Sequence, residues 1–335
     1  MAMESAEKLR GRLRVAVLMG GPSEEHDISL RSGSGVVEAL KRRGWHATGV
    51  IIPKMSQAIE ARDVARHELE RCEANVVFIA LHGAFGEDGT VQQLCDELQL
   101  AYTGSDAIAS RCGMDKVTSK RRFERAGLCV PRWRAFDPLH DQLSEQLDGF
   151  SFPLVIKPAR QGSSLGVSIV QEPELVPQAV AAAARYGSPV ILEQWVSGRE
   201  LTVGVLGEQA LPVIEIRPLR QFFNYEAKYT TGATEYLVPA PLPLAVAERI
   251  QKVGLDAHRA IGCRHLSRTD LILRQDETPV ILEVNTIPGF TSTSLLPKAA
   301  ACAGLSYDEV CDRLVLMAWQ DRPATAPRRE VPSNT

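Results

Sequence analysis

The stretch from Arg268 to Pro297, RTDLILRQDETPVILEVNTIPGFTSTSLLP, constrains this chain most, because it gathers acidic and amide oxygens at strand spacing and ends in a backbone-rich turn. Arg268 to Leu273 alternates polar and apolar, a turn is expected at Gln275 to Thr278, and Val280 to Val284 is apolar and β-branched, which predicts a hairpin. Side chains two apart on a strand share a face, so Glu283 and Asn285 point the same way. With Asp270 on the partner strand turned to that side, hard oxygen donors converge in a set suited to Mg²⁺, which keeps its other positions for water and phosphate oxygens. Strand-end carboxylates are often merely solvated. Here Leu282 and Val284 alternate with Glu283 and Asn285, so a strand buried on one side directs its oxygens at something on the other. Pro288 and Gly289 then leave N–H groups outside any ladder and able to face a ligand.

With 335 residues and 44% hydrophobic content the chain can fill more than one core, and two or three α/β units are expected. A net charge of -3 and a pI near 6.2 supply no basic footprint, which argues against nucleic acid as the main partner. The run Lys120, Arg121, Arg122 and Arg125 reads as a solvated helix face. Seven cysteines without Cys-x-x-Cys spacing read as reduced thiols of a cytosolic protein, not as a disulfide framework or zinc site. Residues 1–12 are polar and read as a flexible N-terminus rather than a secretory signal. No apolar run reaches the length of a membrane span. Residues 321–335, rich in Pro, Arg and Ser, are expected to be a disordered tail.

In chain order, Leu13 to Met19 predicts a strand, Gly20 to Ser23 breaks it, and Asp27 or Ser29 is placed to cap a helix running to about Arg43. This resembles the start of a doubly wound unit, yet no G-x-G-x-x-G opens the helix, which argues against a dinucleotide site. Glu25 lies in the loop at the strand's carboxyl end, where open α/β sheets place ligands. Val76 to Leu81 predicts a second strand whose loop begins at His82 and is rich in glycine; a helix is expected over Thr90 to Leu98. Further on, strands at Phe152 to Lys157 and Val167 to Val170 flank Gly162-Ser163-Ser164-Leu165-Gly166, a turn able to lay N–H groups against phosphate, with Lys157 adding a point charge. A helix over Val176 to Tyr186 precedes a strand from Val190 to Val196, with Trp195 in the core. An exposed edge there offers backbone groups to an adenine, with Glu193 on the base and Glu200 on ribose hydroxyls. Thr202 to Val205 and Val213 to Ile216 extend a sheet, and the long polar segment 221–232, with Phe222, Lys228 and Tyr229, reads as a lid.

Taken together, GGPSEEHDISL (20–30), LHGAFGEDGT (81–90), YTGS (102–105), MDK (114–116), VIKPARQGSSLGVS (155–168), YEAKY (225–229) and EVNTIPGFTSTSL (283–295) resemble the D-alanine–D-alanine ligases, ATP-grasp enzymes, over roughly residues 13–318. Each piece is weak alone; the ordered set is specific. The resemblance implies an α/β (α+β overall) ATP-grasp fold: a Rossmann-like substrate domain at 13–104, a central subdomain at 105–193, and a C-terminal subdomain at 194–320 carrying the metal site and the lid. It places Lys116, Lys157 and Lys228 on the phosphates of ATP, with Ser163 and Ser164 closing over them. Glu193, Gln194, Val196 and Glu200 would hold adenosine, with Phe222 packing nearby. Asp270, Glu283 and Asn285 would bind two Mg²⁺ ions, with Mn²⁺ able to substitute.

The same resemblance puts the first D-alanine near Glu25, His82 and Gly289 and the second near Arg268, Gly289, Ser294 and Leu295. Glu25, Ser163 and Tyr229 match a trio tying the first domain to the lid, and Arg268 with the Gly289 N–H would stabilise an oxyanion. It implies ATP-dependent joining of two D-alanines through an acyl phosphate for peptidoglycan precursor synthesis, in a cytoplasmic homodimer. Related ligases that use D-serine, D-lactate or another amino acid second, and a catalytically silent ATP-binding homologue, remain as alternatives. The chain departs from the expected pattern at Gln161, Gln194, Thr269, Ile287 and Thr293. None of these removes a phosphate, metal or oxyanion group. Ile287 and Thr293 border the substrate end and leave the second substrate open.

Overall fold

A computed structural model describes residues 6–55, 58–218 and 234–326. The expected lid, with Phe222, Lys228 and Tyr229, lies outside the described residues. Among the described residues three sheets are present. The first holds β1 (Arg14–Gly20), β2 (His46–Ile52), β3 (Val76–Ile79) and β4 (Ala101–Tyr102), all parallel in the order β2-β1-β3-β4. Alternation along β1 sorts its side chains: Val15, Val17 and Met19 enter one core, Ala16 and Leu18 another on the opposite face. A sheet buried on both faces requires apolar residues at every position, which explains the unbroken run in β1.

Because β2 and β3 leave β1 on opposite sides, the strand order reverses there, and the crevice at the carboxyl ends of β1 and β3 is the natural ligand position. The helix His26–Arg42 opens that crevice. Neither Asp27 nor Ser29 caps it; Glu25 occupies the N-cap position without a side-chain cap bond. Ser29 is instead buried inside the helix, accepting from the Gly20 N–H (2.8 Å) and donating to the Ala80 carbonyl (2.7 Å), which pins the helix to the ends of β1 and β3.

The second sheet is antiparallel, in the order β12-β11-β9-β13-β14, formed by β9 (Arg199–Leu206), β11 (Ile214–Pro218), β12 (Thr234–Leu237), β13 (Leu266–Leu273) and β14 (Pro279–Asn285); β10 (Gln209–Ala210) pairs with β9. Leu201, Val203, Leu271 and Leu273 bury one face beneath Val246 and Ile250 of the helix Leu244–Ile261. The opposite face carries polar groups around Thr202, Arg268 and Asp270, while Leu206 and Leu266 at its other end join the core shared with the first sheet. The third sheet, β5-β8-β6-β7, is also antiparallel and comprises β5 (Trp133–Phe136), β6 (Leu154–Pro158), β7 (Ser168–Val170) and β8 (Val190–Gln194), packed under the helix Val176–Ala184. β8 lies between β5 and β6, so the exposed edge expected at Glu193 is absent. Trp195, expected in the core, is 39% exposed.

The two ends of the described chain meet. Residues 6–12, expected to be flexible, form a helix, and Arg10 makes a paired contact with Asp312 on the helix Tyr307–Gln320 (2.9 and 2.7 Å). That C-terminal helix packs Val310, Leu314, Val315 and Trp319 into the core beside β3, β4 and the helix His26–Arg42. Residues 321–326, expected within a disordered tail, also make contacts: Asp321 lies 3.1 Å from His265, and Thr325 bonds Gln99.

Candidate active site

The hairpin β13–β14 forms as expected, with Asp270 opposite Glu283 and Arg268 opposite Asn285. Cross-strand partners share a face, so all four side chains project to the side away from the apolar core. Thr202 on β9 is in register with Asp270 and donates to its Oδ1 (2.7 Å). Arg268 grips Asp270 through Nε (2.8 Å) and a terminal nitrogen (2.7 Å), and Asn285 donates to Asp270 Oδ2 (3.1 Å). Burial opposes the charge on Arg268, but the adjoining Asp270 carboxylate outweighs it and raises its pKa. Two carboxylates and an amide, with no His or Cys, suit a hard cation that retains water or phosphate ligands. Asn285 donates its NH₂ to Asp270, which leaves its amide oxygen as the atom to ligate a cation.

This face opens onto a cleft of about 910 Å³ that brings together Glu25, His82, Ser163, Glu200, Arg268, Asp270, Glu283, Asn285, Gly289, Ser294 and Leu295. Glu25 and His82 arrive from the two loops at the strand-order reversal. Gly83 permits their approach: its φ is +70°, and a Cβ there would meet Ser23 Cβ at 3.0 Å and Glu25 Oε2 at 3.1 Å. His82 is buried, with Nε2 3.2 Å from Ser32 Oγ and Nδ1 3.8 Å from Glu87. Glu87, absent from the sequence expectations, accepts from the Gly83 N–H (2.9 Å). Burial, added to by nearby Glu25, raises its pKa despite the pull of His82. Its signal in the sequence was its place in the His82 glycine loop.

On the other side, Asp115 caps the helix Lys116–Arg125 through the Val117 and Thr118 N–H groups (both 3.0 Å). Lys116 thereby starts the helix and reaches two ways, to the Gln161 carbonyl at the head of the serine–glycine loop (2.8 Å) and to Glu283 (3.3 Å). It joins the loop to the hairpin carboxylates. Ser163 and Ser164 hold left-handed φ values of 51° and 59°. Such backbone is costly for non-glycine residues and is found where surroundings enforce it.

Other expected residues do not line this cleft. The Glu193 carboxylate is 2% exposed and lies 3.0 Å from Lys157 and 2.6 Å from Lys120, so it is spent on lysines rather than turned toward a base. Lys120 is fully buried, contrary to the solvated face expected of that basic run. Gln194 closes on Ser151, accepting from its N–H (3.1 Å) and donating to its carbonyl (2.8 Å), and Val196 is half-buried beyond it.

The chain is similar to known proteins over most of its length. Residues 123–316 match the profile of the family described as D-ala D-ala ligase C-terminus, and residues 53–105 that of D-ala D-ala ligase N-terminus. A D-alanine–D-alanine ligase of Anaeromyxobacter sp. (strain Fw109-5) is 45% identical over 303 residues, spanning 90% of this chain and 96% of that protein. The chain belongs to the D-alanine–D-alanine ligase family.

Its fold is the ATP-grasp fold of these ligases. The D-alanine–D-alanine ligase of Bacillus anthracis complexed with ATP superposes with a TM-score of 0.80 at 30% identity, over 92% of this chain and 98% of that one. The VanG D-Ala:D-Ser ligase of Enterococcus faecalis gives a TM-score of 0.80 at 28% identity, over 91% and 99%. Among ligases of this family, then, the same scaffold accompanies more than one named second substrate.

Proposed function

We infer that this protein joins two D-alanines at the expense of ATP, releasing ADP and phosphate, in supply of peptidoglycan precursors. The observation that carries the reading is the shared cleft in which the Arg268–Asp270–Glu283–Asn285 face meets Glu25 and His82, with Lys116 linking Glu283 to the serine–glycine loop. A carboxylate does not acylate an amine at neutral pH, so the first D-alanine's carboxylate takes the γ-phosphoryl group of ATP and becomes an acyl phosphate. The amine of the second D-alanine attacks that carbonyl, a proton leaves the nitrogen, and phosphate departs.

The chain's own residues take these parts. Lys116 and Lys157 neutralise phosphate charge, and Ser163 and Ser164 lie in the loop that closes over it. Glu25 and His82 hold the first D-alanine. Arg268 and the Gly289 N–H meet the oxyanion of the tetrahedral intermediate, and a donor of this kind is typically worth about 3 kcal/mol of barrier. Leu295 begins a helix, so its N–H has no partner within that helix and suits the second substrate's carboxylate beside Ser294. Glu200 lines the same cleft and is assigned to the ribose. Asp270, Glu283 and Asn285 would hold two Mg²⁺ ions, which supply charge neutralisation to the transferring phosphoryl group when bound. The roles given to Phe222, Lys228 and Tyr229 rest on the family resemblance. A cytoplasmic homodimer completes the proposal; among the described residues no helix is long and apolar enough to cross a membrane.

The test is ADP release with D-alanine alone and with D-alanine paired with L-alanine, D-serine or D-lactate. Turnover with D-alanine alone is expected; its absence rejects the assignment. Faster turnover of the D-serine pair would move the protein to the second-substrate variants, and Ile287 and Thr293, which border that end of the cleft, are where such a shift would originate.

A further inference from the structure

Glu193 is shared by two lysines that play unequal parts. On the third sheet Val155 of β6 is in register with Glu193 of β8, and Lys157, two residues on, lies diagonally across on the same face. Its Nζ is 3.0 Å from Glu193 Oε1. The helix Lys116–Arg125 lies over this face, and Lys120, one turn beyond Lys116, brings its Nζ to 2.6 Å from the other oxygen, Oε2. Lys120 is fully buried, whereas Lys116 and Lys157 retain 7% exposure each. Only the latter two can turn to a nucleotide. Burial pulls Lys120 down to about 8, Glu193 pulling it back up and Lys157 and Lys116 adding to the depression.

A buried carboxylate stripped of its only counter-ion is strongly destabilised. Were Lys157 the sole partner of Glu193, moving its ammonium onto a phosphate would create that situation. Resting on the ligase reading of the site, we propose that Lys120 is a positioning residue, the fixed counter-ion of Glu193 that frees Lys157 to exchange the carboxylate for a phosphate of ATP. No proton moves in this exchange. Lys157 changes partners, and Glu193 keeps one throughout.

The decisive measurement is ATP binding by calorimetry in the presence of Mg²⁺, which reads the exchange without requiring turnover. Lys120→Met keeps an unbranched apolar stem and leaves Glu193 and Lys157 as a closed pair; its Kd for ATP is expected to rise by about tenfold or more, the cost of breaking a buried pair. Adding Glu193→Gln removes the carboxylate that would retain Lys157, and the double variant should bind ATP several-fold more tightly than Lys120→Met. A packing role predicts the opposite, because two altered buried positions are worse than one. Unchanged ATP affinity in Lys120→Met, or a double variant no tighter than the single, overturns the proposal.

Should the single variant fail to fold, pH supplies the readout. Wild-type ATP affinity should weaken as pH rises through about 8, while the double variant, in which neither group titrates, should show no such step; a wild-type profile without it overturns the proposal. The groups facing Lys120 are Glu193 and Lys157 from the sheet and Lys116 from its own helix. Failure of the ligase reading would register separately, as ATP binding without ADP release on adding D-alanine.

Discussion

Asp270 and Glu283 stand directly opposite each other on β13 and β14, at the register pair just before the ladder shifts. Each carboxylate already has a cationic neighbour, Arg268 for Asp270 and Lys116 for Glu283. The pair therefore belongs to a connected charged surface. Glu283→Ala is expected to abolish ADP release while leaving the thermal midpoint within about 2 °C of wild type, since Glu283 is 30% exposed and contributes little to stability. Normal kcat in that variant removes Glu283 from the metal role.

Arg268→Lys tests the fork rather than the charge. A lysine cannot reproduce the paired contact with both Asp270 oxygens. The expected result is a drop in kcat of about a hundredfold with ATP affinity little changed, the pattern of a group needed at the oxyanion. A kcat within about threefold of wild type would show that charge alone suffices there.

Asp312 tests the link between the chain's ends. It is 4% exposed and accepts from Arg10, from Trp45 Nε1 (2.8 Å) and from Arg43 (3.1 Å). Burial alone would raise its pKa, but these donors outweigh it and hold the carboxyl below its ordinary value. Asp312→Ala leaves the buried Trp45 N–H unpaired and two arginines without their partner, a loss of about 3 kcal/mol. Urea unfolding followed by Trp fluorescence reads this, and a change under about 1 kcal/mol would demote Asp312 to an ordinary surface pair.

His258 sets a pH dependence. Burial lowers its pKa to about 4, against about 6.5 in an unfolded chain. Folding thus favours the neutral ring, so this stabilisation is complete above about pH 6.5 and is lost as pH falls toward 4. Between about pH 7 and about pH 5 the loss should be on the order of 2 kcal/mol, and His258→Gln should lack it. Equal slopes for the two proteins in urea unfolding would contradict the assignment.

The hairpin was legible because alternation is a local property: Val284 had to face a core, which left Glu283 and Asn285 facing out of it. Alternation misplaced Leu282, which the ladder shift leaves unpaired and half-buried while Ile281 takes the core position. The loops at the ends of β1 and β3 were legible for a similar reason, since glycines mark where a strand must stop. Lys120 and Glu193 were not. A run of basic residues on a short helix looks solvated unless one knows that a carboxylate from a distant strand lies beneath it. The same applies to Glu193, whose neighbours in sequence do not reveal that β8 is interior. Ile287 has two roles at once: it lines the cleft and is 6% exposed within the core of the first sheet. A substrate-end position so anchored responds to packing as well as to specificity, which no local pattern conveys.

The docking of the helix Tyr307–Gln320 over β3 and β4 also bears on biosynthesis. A ribosome delivers that helix long after β3 and β4 have emerged, so the part of that apolar side which the helix His26–Arg42 leaves bare must wait uncovered until translation has almost finished. Chains released after Gly304 should accordingly bind a hydrophobic dye and be cleaved quickly by protease. If they proved compact and resistant, the late helix would be a cover rather than a keystone.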